Sequence, residues 1–139
     1  MPYGIGAKKE ELTLQLYPST NSGASSFSKS LNFNISFSWI RKKIYGTQIA
    51  KVIKFDDHID IFDRSIKLIK IDIEGFEFEA LKGAEQCLKR GIFENILIEI
   101  HPTALSGLNQ SKDQINEYLL AHGYSKKTII HNLNLYTLQ

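Results

Sequence analysis

Two dense apolar runs, residues 66–73 and 96–100, constrain this chain more than any other feature. The first is crowded with β-branched side chains, Ile66, Ile69, Ile71 and Ile73, and is punctuated by Gly75. The second, Ile96-Leu97-Ile98-Glu99-Ile100, is stopped by Pro102. Short runs of this density belong in buried strands, typically of a parallel sheet. Between them Phe76, Ala80, Leu81, Ala84, Cys87 and Leu88 recur at helical spacing, and Gly91 is placed as a C-terminal cap. The expected unit is two adjacent parallel strands with one helix over residues 78–90 between them.

The pattern continues downstream. Ser111 and Gln114 form a capping-box pair ahead of the stripe Ile115, Leu119 and Leu120, and Gly123 ends that helix. Residues 125–130 and 133–138 flank His131-Asn132 as an antiparallel hairpin, expected at the sheet edge. Upstream, Leu12, Leu14 and Leu16 alternate with polar neighbours as in a half-buried strand. Residues 49–55 read as another strand, ended by Asp56-Asp57. The Ser/Asn-rich stretch 19–38 reads as a long, partly packed loop, with 32–37 extended. The fold class is therefore α/β, in one domain over residues 1–139: strands and loop over 1–65, then the alternating half over 66–139.

Length and charge narrow the function. A chain of 139 residues has room for one modest core, and a net charge of +2 implies neither nucleic acid nor an anionic membrane surface. Arg41-Lys42-Lys43 is a patch rather than a tract. No apolar run approaches the roughly 20 residues that span a bilayer, and the first residues lack a signal-peptide core. A cytoplasmic location is expected. Cys87 is the only cysteine and, set among Ala84 and Leu88, reads as a buried structural thiol.

The chemistry concentrates where the first run ends. Side chains alternate along a strand, so Lys70, Asp72 and Glu74 share one face while Ile69, Ile71 and Ile73 share the other. Glu99 and His101 share a face of the second strand. If the strands are neighbours, these groups meet at the carboxyl end of the sheet, where open α/β folds bind ligands. His101 has the pKa range of a proton acceptor; the plainer alternative is a loop histidine satisfied by backbone. For Lys70 the structural alternative is an ion pair with Asp72 or Glu99, and for Asp72 and Glu74 it is capping of the helix that starts near Gly75. These carboxylates, with Glu99 or His101, are donors suited to magnesium, but the spacing is not diagnostic and no metal is assigned. His58, His122 and His131 read as surface residues.

The segment LIKIDIEGFE over residues 68–77, followed by ALKGA over 80–84, closely resembles the signature of FkbM-type methyltransferases. ILIEIH over 96–101 is similar to the family's next strand, and Gly123-Tyr124 to the turn after its next helix. Tyr3-Gly4-Ile5-Gly6-Ala7, NSGASS over 21–26 and Phe55-Asp56-Asp57 match weaker family features in the same order. The resemblance implies a Rossmann-like class I methyltransferase fold, a mostly parallel sheet, and S-adenosylmethionine as methyl donor. It also implies an oxygen acceptor on a small molecule or sugar, with Asp72, Glu74 and His101 lining the acceptor side.

Such enzymes carry a glycine-rich turn after their first strand and an acidic ribose ligand after their second. Gly4 and Gly6, the weak cofactor-binding candidates, fall instead where the family's third strand ends. The expectation is therefore a chain truncated before the cofactor motif, its N-terminal strands and helices missing, that binds S-adenosylmethionine weakly or not at all by itself. The alternative is a non-catalytic remnant that forms a homodimer or pairs with a complementary chain.

Overall fold

The computed structural model of the chain describes residues 3–16, 47–61 and 64–139. The expected loop over 19–38, its extended stretch 32–37 and the basic patch lie outside those residues. Seven strands are described, in two sheets. The first holds β1 (Tyr3–Ile5), β2 (Glu10–Gln15) and β3 (Thr47–Ile53) in the order β1-β3-β2, with β1 parallel and β2 antiparallel to β3. The second holds β4 (Ile69–Ile71), β5 (Asn95–Glu99), β6 (Tyr124–Ile130) and β7 (Leu133–Leu138) in the order β4-β5-β7-β6.

β4 and β5 are adjacent and parallel, in the register Ile69↔Ile96, Lys70↔Leu97 and Ile71↔Ile98, as the two apolar runs require. The sheets are mixed rather than mostly parallel: of the five strand pairings described, two are parallel and three antiparallel. Much of the difference comes from the hairpin. Its turn forces β6 and β7 to run antiparallel, and β7 slots beside β5, adding a second antiparallel ladder.

The first apolar run is interrupted. Only Ile69–Ile71 form a strand, and Ile66 makes a single parallel bridge to Phe93. The Asn95 side-chain amide donates to the Lys67 carbonyl at 2.9 Å, diverting it from a regular ladder. The expected helix over 78–90 is also two helices, α1 (Glu77–Lys82) and α2 (Glu85–Lys89). At the break Gly83 presses against β1's end, where a Cβ would sit 2.0 Å from the Gly6 carbonyl oxygen. The Gly83 carbonyl accepts from Asp56 N at 3.0 Å. The Asp56 carboxylate then accepts from Gln86 N and Cys87 N, at 3.0 and 3.1 Å. Ala84, the N-cap of α2, has no side chain that could do this, so a residue 28 positions upstream supplies the cap.

A short helix, α3 (Pro102–Ser106), follows β5 where only a strand stop was expected. Proline at its first turn loses no needed donor and pre-sets the helical φ. α4 (Lys112–Ala121) begins on a complete capping box: Ser111 Oγ accepts from Gln114 N, and Gln114 Oε1 from Ser111 N. Ile115 and Leu119 are buried while Leu120 faces solvent, so the apolar stripe is narrower than expected. Gly123, at φ +86, ends the helix.

The core gathers Leu81, Leu88, Phe93, Ile96, Ile98, Ile100, Leu105, Ile115, Leu119, Tyr124 and Tyr136. Each fully buried aliphatic side chain contributes about 1.5–3 kcal/mol. Cys87 is buried among them, and burial, reinforced by Asp56, pushes its thiol up to about 12. That is an inert structural thiol, as the helical spacing suggests. Among the described residues no helix is long and apolar enough to cross a membrane.

Removing the trans cap should cost stability while leaving the sheets intact. Asp56→Ala should lower unfolding free energy by roughly 1–2 kcal/mol in denaturant titration, and Asp56→Asn, which can still accept, by less. Equal losses in the two variants would show that the cap does not carry the effect.

Candidate functional site

The chain leaves β4 through a turn that only special residues can make. Glu74 has φ 52 and Gly75 φ 96, both in the left-handed region. A non-glycine residue held there costs about 1–3 kcal/mol, and such strain collects at functional sites. Gly75 is further required by a close approach, because a Cβ on it would lie 2.4 Å from Ala104 Cβ in α3. The β4–α1 turn and the β5–α3 junction therefore touch, and the side chains on each converge.

His101, the N-cap residue of α3, occupies the centre. Its Nδ1 lies 2.8 Å from Glu77 Oε1. Its Nε2 stands 3.7 Å from Glu74 Oε2 and 4.0 Å from Asp72 Oδ1. Asp72, Glu74 and His101 are thus brought together as the sequence suggests, each partly open to solvent. Glu99, partly buried on β5, adds its negative charge nearby. Lys70 pairs with Asp72 at 2.8 Å, the ion pair expected of it, but its side chain is 57% exposed. An ion pair in water contributes little, so Asp72 is not needed to neutralise a buried ammonium.

Glu77 is the residue the sequence reading missed. It is 0% exposed, the first residue of α1, and its Oε1 also accepts from Gly75 N at 2.9 Å. It takes the place at the helix entrance that was expected of Asp72 and Glu74, and α1 has no side-chain cap bond at Phe76. A glutamate in a first turn reads from sequence as a surface residue favourable to the helix dipole. The available signal was its position two residues past a turn glycine, within reach of the turn's backbone.

The charges bias one another. The Glu77 hydrogen bond raises the His101 pKa, and Glu74, Glu77 and Glu99 add to the rise against the opposing effect of burial. Burial raises the Glu74 pKa, with repulsion from Asp72, Glu77 and Glu99, while His101 opposes it. A base with a raised pKa binds a proton more strongly, as accepting one from a hydroxyl requires. Donor atoms of Asp72, Glu74 and His101 also lie within 4.8 Å of one another, a set that could hold a divalent cation.

The methyltransferase FkbM domain profile matches residues 1–126. The chain belongs to the FkbM methyltransferase domain family. No curated protein and no solved structure matches the chain. The FkbM signature from Leu68 to Glu77 is the strand, turn and helix start that carry Asp72, Glu74 and Glu77.

The family implies S-adenosylmethionine, and Gly4 and Gly6 can be compared with that group. Gly4 pairs with Val52 in the β1–β3 ladder. Gly6 is buried, donates to the Ile53 carbonyl at 3.0 Å, and has room for no Cβ against Val52 and Phe76. Gly6 is thus filled by packing, while Gly4 is held in the ladder and stays partly exposed. The other histidines stand apart. His58 and His131 are exposed, and His122 Nδ1 bonds the Tyr118 carbonyl at 2.8 Å.

The raised pKa makes stability depend on pH in a definite sense. Protonated His101 stabilises the fold fully below its unfolded pKa of 6.5, and that contribution is lost as pH rises through the higher native value. NMR titration should place the native midpoint above 6.5, and melting temperature should fall across that interval in the parent chain but less in His101→Gln. A native midpoint below 6.5 would contradict the carboxylate surroundings.

Proposed function

We propose that this FkbM domain is a Rossmann-like class I methyltransferase that uses S-adenosylmethionine to methylate a hydroxyl on a small molecule or sugar. The observation that carries the reading is the convergence of His101 Nε2, Asp72 and Glu74 at the carboxyl ends of two parallel strands. Strand ends of this kind are where α/β enzymes work. The parallel β4–β5 pair with an antiparallel hairpin beyond it supports the Rossmann-like arrangement.

When bound, S-adenosylmethionine supplies an electrophilic methyl group on a sulfonium. The residues of this chain act on the acceptor. His101 Nε2 accepts the single hydroxyl proton as the oxygen becomes nucleophilic, and the Asp72 and Glu74 carboxylates beside that nitrogen stabilise the imidazolium that forms. Much of the acceleration comes from alignment, which a strained turn fixed by close packing supports.

The test is methyl transfer from labelled S-adenosylmethionine to a panel of sugars and small alcohols. Asp72→Asn and His101→Gln should each lower turnover by about 100-fold with normal melting. Retained turnover in Asp72→Asn would reduce Asp72 to a partner of the exposed Lys70, a solvated pair whose loss should leave melting nearly unchanged. Unchanged turnover in both variants would remove the cluster from the reaction.

A further inference from the structure

We infer that Glu77 is a positioning residue that decides which nitrogen of His101 is free: its buried carboxylate keeps the ring proton on Nδ1 and leaves the Nε2 lone pair toward Asp72 and Glu74. This rests on the reading of His101 as proton acceptor, and it adds a residue that reading does not contain.

The geometry gives the direction. Glu77 Oε1 already accepts from Gly75 N at 2.9 Å, so that oxygen acts as an acceptor. The same oxygen lies 2.8 Å from His101 Nδ1. An imidazole nitrogen at that distance from an accepting oxygen carries the hydrogen, because two lone pairs facing each other would repel. In a neutral ring the other nitrogen then has none. Nε2 lies 3.7 and 4.0 Å from the nearest oxygens of Glu74 and Asp72, beyond hydrogen-bond length, and the ring is partly open to solvent. A hydroxyl arriving between these carboxylates meets an unshared lone pair on Nε2.

Burial points the same way. Glu77 is wholly enclosed, and its Oε2 has no hydrogen-bond partner among the described residues. A buried carboxylate that is only half satisfied is costly, and a packed apolar side chain at such a place is often neutral or stabilising. Stability alone therefore does not account for a carboxylate here, whereas control of the imidazole does. The bond to Gly75 N also ties Glu77 to the turn that presents Glu74, so one side chain sets the ring and anchors the turn.

Two measurements on the chain alone decide the matter, with no acceptor needed. Two-bond proton–nitrogen correlation spectra of histidine-labelled protein in mildly alkaline buffer should show His101 protonated on Nδ1. In Glu77→Met, which offers Nδ1 no accepting oxygen, the proton should shift toward Nε2. Carbethoxylation by diethyl pyrocarbonate, read by mass spectrometry, should slow at His101 by about 10-fold in that variant, following the logic of a wrong tautomer. The exposed His58 and His131 should react as before. A parent ring protonated on Nε2 overturns the inference, and this needs no variant to fold. An unchanged tautomer and reactivity in a folded Glu77→Met overturns it too. An Nδ1–H ring in a chain that transfers no methyl group would sink the proposed function and leave this inference standing.

Discussion

The site exists because Gly75 and Ala104 can touch. With a Cβ at position 75 the approach closes to 2.4 Å, well inside contact distance, and the two strand-end segments would have to part. Their separation would carry Glu77 away from His101, since one lies two residues past Gly75 and the other three residues before Ala104. The parallel register of β4 and β5 brings both strands out at the same edge. It does not by itself make the segments beyond them meet. That last step belongs to a glycine that supplies both a left-handed φ and the absence of a side chain.

Once the segments meet, electrostatics decides what each group does. Three carboxylates, Asp72, Glu74 and Glu77, surround one imidazole, and they are not equivalent. Glu77 is enclosed and hydrogen-bonded to the ring; Asp72 is shared with an exposed lysine; Glu74 sits on a strained turn between them. Desolvation and mutual repulsion push Glu74 toward protonation, while the same negative surroundings hold a proton on His101. Ionisable groups shifted by burial and by specific charge partners collect at functional sites.

What the sequence makes legible is what local pattern controls. The alternation of Lys70 and Asp72 with Ile69 and Ile71, the Ser111–Gln114 capping box, the parallel β4–β5 pair and the terminal hairpin all follow from neighbours in the chain. The break at Gly83 does not, because its cause is the Gly6 carbonyl far away and an aspartate 28 residues before Ala84. The interruption at Lys67 has the same origin in the Asn95 amide. Asp72, Glu74 and His101 were legible as a cluster once the two runs were read as neighbours. Glu77 was not, since helical periodicity gives it only a place in a first turn and says nothing of what α3 sets against it.

Gly6 connects the two halves of the molecule to this argument. Its missing side chain admits Phe76 and Val52, and the missing side chain of Gly83 admits the Gly6 carbonyl, so the segment after β1 packs directly onto both ends of α1. Phe76 stands between Gly75 and Glu77, the two residues that build the site's rear wall. The first sheet thereby buttresses the strained turn from behind, and a turn held in an uncommon conformation persists only where its surroundings over-determine it. Gly6 therefore shapes the polar cluster through packing, although the side chains it meets are Val52 and Phe76 rather than those gathered around His101.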